Sequence, residues 1–224
     1  EEIIFTSSGS ESNNMVLKGC LQKGDHLITS SYEHPSVGKV LPILKESGVE
    51  ISEVKPDSNG RINPAAVQKE IQDNTRLISI MFVNNELGSI NPIPEIGAVA
   101  TKNKIPFHTD GVQALGKIDL DISQIPVDFL SMSAHKLYGP KGVGALFKRE
   151  GAALIPLIHG GGQESNLRAS TENVSGIAGF GLAAELAKFN LEENSAHIRY
   201  LESTFLGTLN GFKLEYKING IERV

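Results

Sequence analysis

A single cysteine, Cys20, in 224 residues leaves no room for an intrachain disulfide framework or a cysteine zinc site, and it points to a reducing cytoplasm. No apolar run is long enough to span a bilayer and no secretory signal opens the chain, so no membrane association is expected. Lysine and arginine never cluster into a block. With a net charge of −5, direct nucleic-acid binding is not expected either. Internal repeats and low-complexity segments are missing. So are the Walker loop and the dinucleotide fingerprint, which counts against a nucleotide-binding dehydrogenase. No metal site is expected.

What remains is an ordinary soluble composition, 40% hydrophobic and 21% charged. The chain is long enough to bury a full core and to hold one domain plus part of a second. It starts at Glu1 without a methionine and stops at Val224 after a short segment, which reads as a piece of a longer protein.

Residues 3–8, 25–31, 49–54, 76–83, 105–108, 129–134 and 142–147 are apolar or β-branched runs and predict strands. Helices are expected over 15–21, 37–47, 64–72, 94–103, 173–188 and 191–209, with a strand-like stretch at 212–218. Such alternation means an α/β fold: a mostly parallel central sheet covered by helices on both faces. Cys20, among Val16, Leu17 and Leu21, is expected to act as a small buried hydrophobe.

Ligands of such sheets bind beyond the carboxyl ends of the strands. Ser10, His34, Asn85, Asp110, Ser133, His135 and Lys136 all fall at or just past such ends. A lysine leaving a buried strand is expected to be desolvated, which lowers its pKa and frees the amine to condense with an aldehyde. If the ligand is an aromatic aldehyde phosphate, Asp110 suits the protonated ring nitrogen and His34 offers a flat face. Asn85 and Gln113 suit the phenolic oxygen. Ser10, Ser133 and the Gly9 turn at a helix start suit the phosphate. Taken singly, Lys136 reads as a surface lysine on a glycine-rich turn, Ser10 as an N-cap, Asp110 as a turn residue, His34 as a satisfied loop histidine, and the two amides as local caps. All of these would have to coincide at one edge of one sheet.

Several motifs carry a family resemblance, in order along nearly the whole chain. They are residues 5–14 (FTSSGSESNN), Glu33-His34, 84–88 (NNELG), 108–113 (HTDGVQ), 133–142 (SAHKLYGPKG), 159–163 (HGGGQ) and 168–173 (RASTEN). The chain resembles the pyridoxal-phosphate-dependent cysteine desulfurases, in the class V aminotransferase group of fold-type I enzymes. The resemblance implies a three-layer large domain over residues 1–190 and the start of a small C-terminal domain over 191–224. Lys136 would carry pyridoxal 5'-phosphate and shuttle protons, Asp110 would pair the ring nitrogen, and His34 would stack on the ring. Asn85 and Gln113 would address the phenolic oxygen, and Gly9, Ser10, Ser133 and His135 would serve the phosphate. Thr171 would reach the phosphate of a neighbouring subunit, implying a homodimer with shared sites. The implied reaction converts L-cysteine to L-alanine and leaves persulfide sulfur on the enzyme for iron–sulfur cluster assembly or tRNA thiolation, through a sulfur-acceptor protein.

Ser170 stands where the family usually has glycine, and Ser10 where threonine is commoner. The family's nucleophilic cysteine, which Cys20 does not match, and its carboxylate-binding arginine are expected outside these residues, so this chain alone is expected to be inactive. Other class V enzymes (a selenocysteine lyase or an aminotransferase) and a non-catalytic scaffold remain the alternatives.

Overall fold

A computed structural model describes residues 2–212 and 214–220. Seven strands form one sheet: β1 (Ile3–Thr6), β2 (His26–Ser30), β3 (Glu50–Val54), β4 (Thr75–Ser79), β5 (Phe107–Asp110), β6 (Phe129–Ser133) and β7 (Gly144–Lys148). Their order across the sheet is β1-β7-β6-β5-β4-β2-β3. The pairs from β3 through β2, β4 and β5 to β6 are parallel, and β7 runs antiparallel to both β6 and β1. The sheet is mostly parallel, as expected, with a single reversed strand. Two successive reversals restore direction, so β1 ends at the same edge of the sheet as β2, β4, β5 and β6.

The inner strands β2, β4, β5, β6 and β7 are largely buried on both faces, and their side chains divide between two cores with a period of two. Leu27, Leu77 and Phe129 face one cluster with Met15, Val16 and Leu17. Their neighbours Ile28, Ile78 and Leu130 face the other with Val67, Ile93 and Ile96. The covering helices are α1 (Gly9–Cys20), α2 (Pro35–Gly38), α3 (Leu41–Glu46), α4 (Pro64–Lys69), α5 (Ile93–Lys102) and α6 (Val174–Phe189). A third apolar cluster joins Phe180 and Ala183 of α6 to Ala134, Leu137 and Val143 beside β6 and β7. The expected three-layer α/β architecture is present.

Three local expectations change. The polar run 9–14 was expected to be a turn, yet α1 begins at Gly9, capped by the Ser8 hydroxyl, which accepts the Glu11 N–H at 3.2 Å. The helix expected over 37–47 is two short ones, because Pro42 has no N–H to donate and fits only the first turn of a new helix. The strand-like stretch 212–218 forms no strand among its described residues, and Lys213 lies outside them. The last helix, α7 (Leu191–Gly211), buries none of its residues against the body of the molecule.

Candidate active site

Above the carboxyl edge of β5 and β6 lies a cavity of about 370 Å³, a size typical of small-molecule sites. Ser10, His34, Asn85, Asp110, Gln113, Ser133, His135 and Lys136 all line it, as does Gly9. Thr171 does not; it is exposed on the loop before α6. Asn85, Gln113 and Lys136 also line an adjoining cleft of about 1870 Å³, bounded on its far side by α6 and α7.

Asp110 ends β5 with its carboxylate buried, 5% exposed. Its Oδ2 accepts the Asn13 side-chain N–H at 2.7 Å, and its Oδ1 accepts the Val112 N–H at 3.0 Å. Burial raises its pKa, against the pull of the Asn13 and Val112 hydrogen bonds and of nearby His34 and Lys136. A buried carboxylate facing a cavity suits a cationic partner there, such as a protonated ring nitrogen.

The cavity floor is the start of α1. Gly9 is required for close packing: a Cβ there would sit 2.5 Å from the Val112 side chain. Gly144 is equally constrained, since a Cβ would meet the Ser8 backbone at 2.6 Å. With these two glycines the first turn of α1 lies against β7 and the end of β6. Its N–H groups and positive dipole end, the Ser10 and Ser133 hydroxyls and His135 make a seat for an anion. The Ser133 hydroxyl also bonds His135 Nδ1 at 2.9 Å. The His135 imidazole is held below its ordinary pKa by partial burial first, then by Lys136 and Lys141.

Residues 134–137 leave β6 as a 3-10 turn closed by Tyr138 in the left-handed region (φ 62°). This turn lifts His135 and Lys136 past the sheet edge, and both are exposed. The expected desolvation of Lys136 is therefore not found. Lys136 lines both the cavity and the adjoining cleft and is exposed there, not enclosed in an apolar pocket.

His34 caps α2, and its Nδ1 accepts the Ser36 N–H at 3.1 Å. The neighbouring Glu33 carboxyl is pushed up to about 8 by burial, despite hydrogen bonds from the Ser30 hydroxyl and the Met81 N–H. The Gln113 side-chain oxygen accepts from Lys117, leaving its NH₂ group free to donate. The residues that sequence reasoning missed are Asn13 and Ser36. Asn13 was visible only as part of a polar run, and its signal is position: one helical turn after Ser10 it falls on the same face.

Cys20 lies at the far end of α1, half-buried against the apolar cluster of that face. Burial pushes its thiol up to about 12. The described residues contain no cluster of potential metal ligands, and none of their helices is long and apolar enough to cross a membrane.

The chain is 44% identical over 223 residues to the cysteine desulfurase IscS of Clostridium botulinum, covering 98% of this chain and 56% of that protein. Against the mitochondrial cysteine desulfurase of Saccharomyces cerevisiae it is 45% identical over 207 residues, 90% of this chain and 42% of that one. Among solved structures, a NifS-like protein superposes with a TM-score of 0.90 at 39% identity, covering 94% of this chain and 59% of that chain. SspA, solved in complex with cysteine, matches at 46% identity with a TM-score of 0.79, over 82% of this chain and 55% of its own. The chain thus spans about half the length of the curated relatives it matches. A family model described as aminotransferase class-V covers residues 1–220, and the chain belongs to that family.

Proposed function

We propose that the cavity is the pyridoxal-phosphate site of a cysteine desulfurase, which takes sulfur from L-cysteine, leaves L-alanine and carries the sulfur as a persulfide. Enzymes of this family depend on pyridoxal 5'-phosphate. The observation that carries the assignment is one cavity holding a buried carboxylate, an accessible lysine amine and a helix N-terminus. These are complementary to the cofactor's ring nitrogen, aldehyde and phosphate.

When bound, the cofactor supplies an electron sink for charge developing at the substrate α-carbon. Lys136 would hold its aldehyde, and the Lys136 amine would serve as the base that moves the α-proton. The Asp110 carboxylate keeps a proton on the ring nitrogen. His34 covers one ring face. The free NH₂ of Gln113, together with Asn85, addresses the phenolic oxygen. Gly9, Ser10, Ser133 and His135 hold the phosphate.

The thiolate that accepts sulfur is not Cys20, whose thiol is held protonated and which does not line the cavity. It is the chain's sole cysteine, so the accepting thiol comes from outside these 224 residues. Residues 1–190 act as the cofactor-binding large domain and residues 191–224 begin the smaller one, in keeping with the unburied α7. Thr171, exposed and away from its own cavity, serves the phosphate of a second subunit in a homodimer. The setting is a reducing cytoplasm, and an acceptor protein takes the sulfur onward.

The test is turnover by the full-length protein supplied with L-cysteine and a reductant. Alanine and sulfide are expected in equal amounts, and both are lost in Lys136→Ala. Asp110→Ala is expected to slow exchange of the substrate α-proton by about 10²-fold or more. Parental exchange rates in that variant would contradict the role of Asp110.

A further inference from the structure

The Asn13 side chain lines the cavity and is fully buried, yet its Oδ1 has no hydrogen-bond partner. Both of its N–H bonds are used. One goes to Asp110 Oδ2 at 2.7 Å and the other to the Ser36 hydroxyl oxygen at 2.8 Å. Turning the amide over would set Oδ1 against the Asp110 carboxylate, so the nitrogen must face Asp110 and the orphaned oxygen follows from that. Directions then propagate. The Ser36 hydroxyl accepts from Asn13 and donates to His34 Nδ1 at 2.7 Å, and that same nitrogen accepts the Ser36 N–H. In its neutral form His34 therefore carries its proton on Nε2.

We propose that Asn13 is a positioning residue whose amide couples the Asp110 carboxylate to the His34 ring through Ser36, fixing both groups where they face the cavity. The importance of this role for catalysis rests on the cofactor assignment above; the coupling itself does not. Asp110 has few other donors. Val112 supplies one N–H, and Lys136 acts through charge. Loss of the Asn13 N–H leaves a buried carboxylate with one hydrogen bond, and the neutral acid gains.

The direct test is the carbon-13 titration of the Asp110 carboxyl in the full-length protein freed of pyridoxal phosphate. Asn13→Ala is expected to move the midpoint upward by about one pH unit, a tenfold change in proton affinity. Asn13→Leu, close in shape but lacking the donor and adding no titratable group, is expected to move it as far and covers the case in which the alanine variant does not fold. Ser36→Ala is expected to leave the Asp110 midpoint in place while shifting the nitrogen-15 signals of the His34 ring. With cofactor added, the pH midpoint of the visible band is expected to rise in Asn13→Leu, because a less ionised Asp110 would leave the bound ring less positive. Unchanged Asp110 midpoints in folded Asn13 variants, or unchanged His34 signals in Ser36→Ala, would overturn the coupling. A parent protein that stays colourless with pyridoxal phosphate would instead overturn the cofactor assignment, and the Asp110 titration would still be decided.

Discussion

Individual side chains in this protein are set by their neighbours more than by their type. His108 lies in the middle of the sheet, fully buried, with its two ring nitrogens bonded to Ser79 at 2.8 Å and Ser131 at 3.0 Å. Burial pulls its pKa down to about 3. The unfolded chain binds a proton at this position below about pH 6.5 and the folded chain does not, so stability rises with pH in that window. Unfolding free energy is therefore expected to fall as pH drops from about 6.5 towards 3, by up to several kcal/mol from this residue. In His108→Gln, urea titrations across that range should show a flatter profile; an equally steep one would exclude His108 as the cause. Ser170 offers the opposite case, an L-residue at φ 114°, a backbone region that favours glycine. Ser170→Gly is expected to raise the unfolding free energy by about 1 kcal/mol in the same assay.

Between elements, the start of α1 matters most. Glu11 receives Arg168 at 2.8 Å and the Ser7 N–H at 2.8 Å, tying the loop that carries Thr171 to the anion seat. Burial works against the Glu11 charge, and the bonds from Arg168 and Ser7 more than offset it, leaving its pKa low. Arg168→Met strands that carboxylate with most of its burial intact. A loss of about 2 kcal/mol is expected, with faster proteolysis and hydrogen exchange over residues 159–171. Unaltered exchange there would mean that the pair does not anchor the loop.

The same element shows what the sequence could convey. Strand positions were legible because burial on both faces leaves continuous apolar runs. The first turns of α1 were not, because Ser12 and Asn13 look like turn formers. In the fold they are buried, with Ser12 bonded to the Ala145 carbonyl and Asn13 to Asp110. The reversal of β7 left a trace in loop length: the ten residues 134–143 are too few for a parallel crossover. Nine of the ten candidate site residues converge on one cavity because strand ends were readable. The exposure of Lys136 was not, since it depends on a 3-10 turn and a left-handed Tyr138 that local sequence does not dictate.

On the scale of the whole molecule, α6 and α7 present an apolar surface. Leu182, Leu186 and Phe189 are exposed on one, and Ile198, Leu201 and Phe205 on the other. Faces of this kind are normally covered. The full-length protein is expected to be a dimer by light scattering; a monomer would remove the proposed role of Thr171 in a second subunit. The central claim is narrower, that one small cavity grips vitamin B6 aldehyde through Lys136 opposite Asp110. Borohydride reduction of the pyridoxal-phosphate-loaded full-length protein, followed by peptide mass mapping, tests it most directly. One reduced cofactor per chain on Lys136 is the expected result, and an unlabelled Lys136, or a label on Lys117 instead, would contradict it.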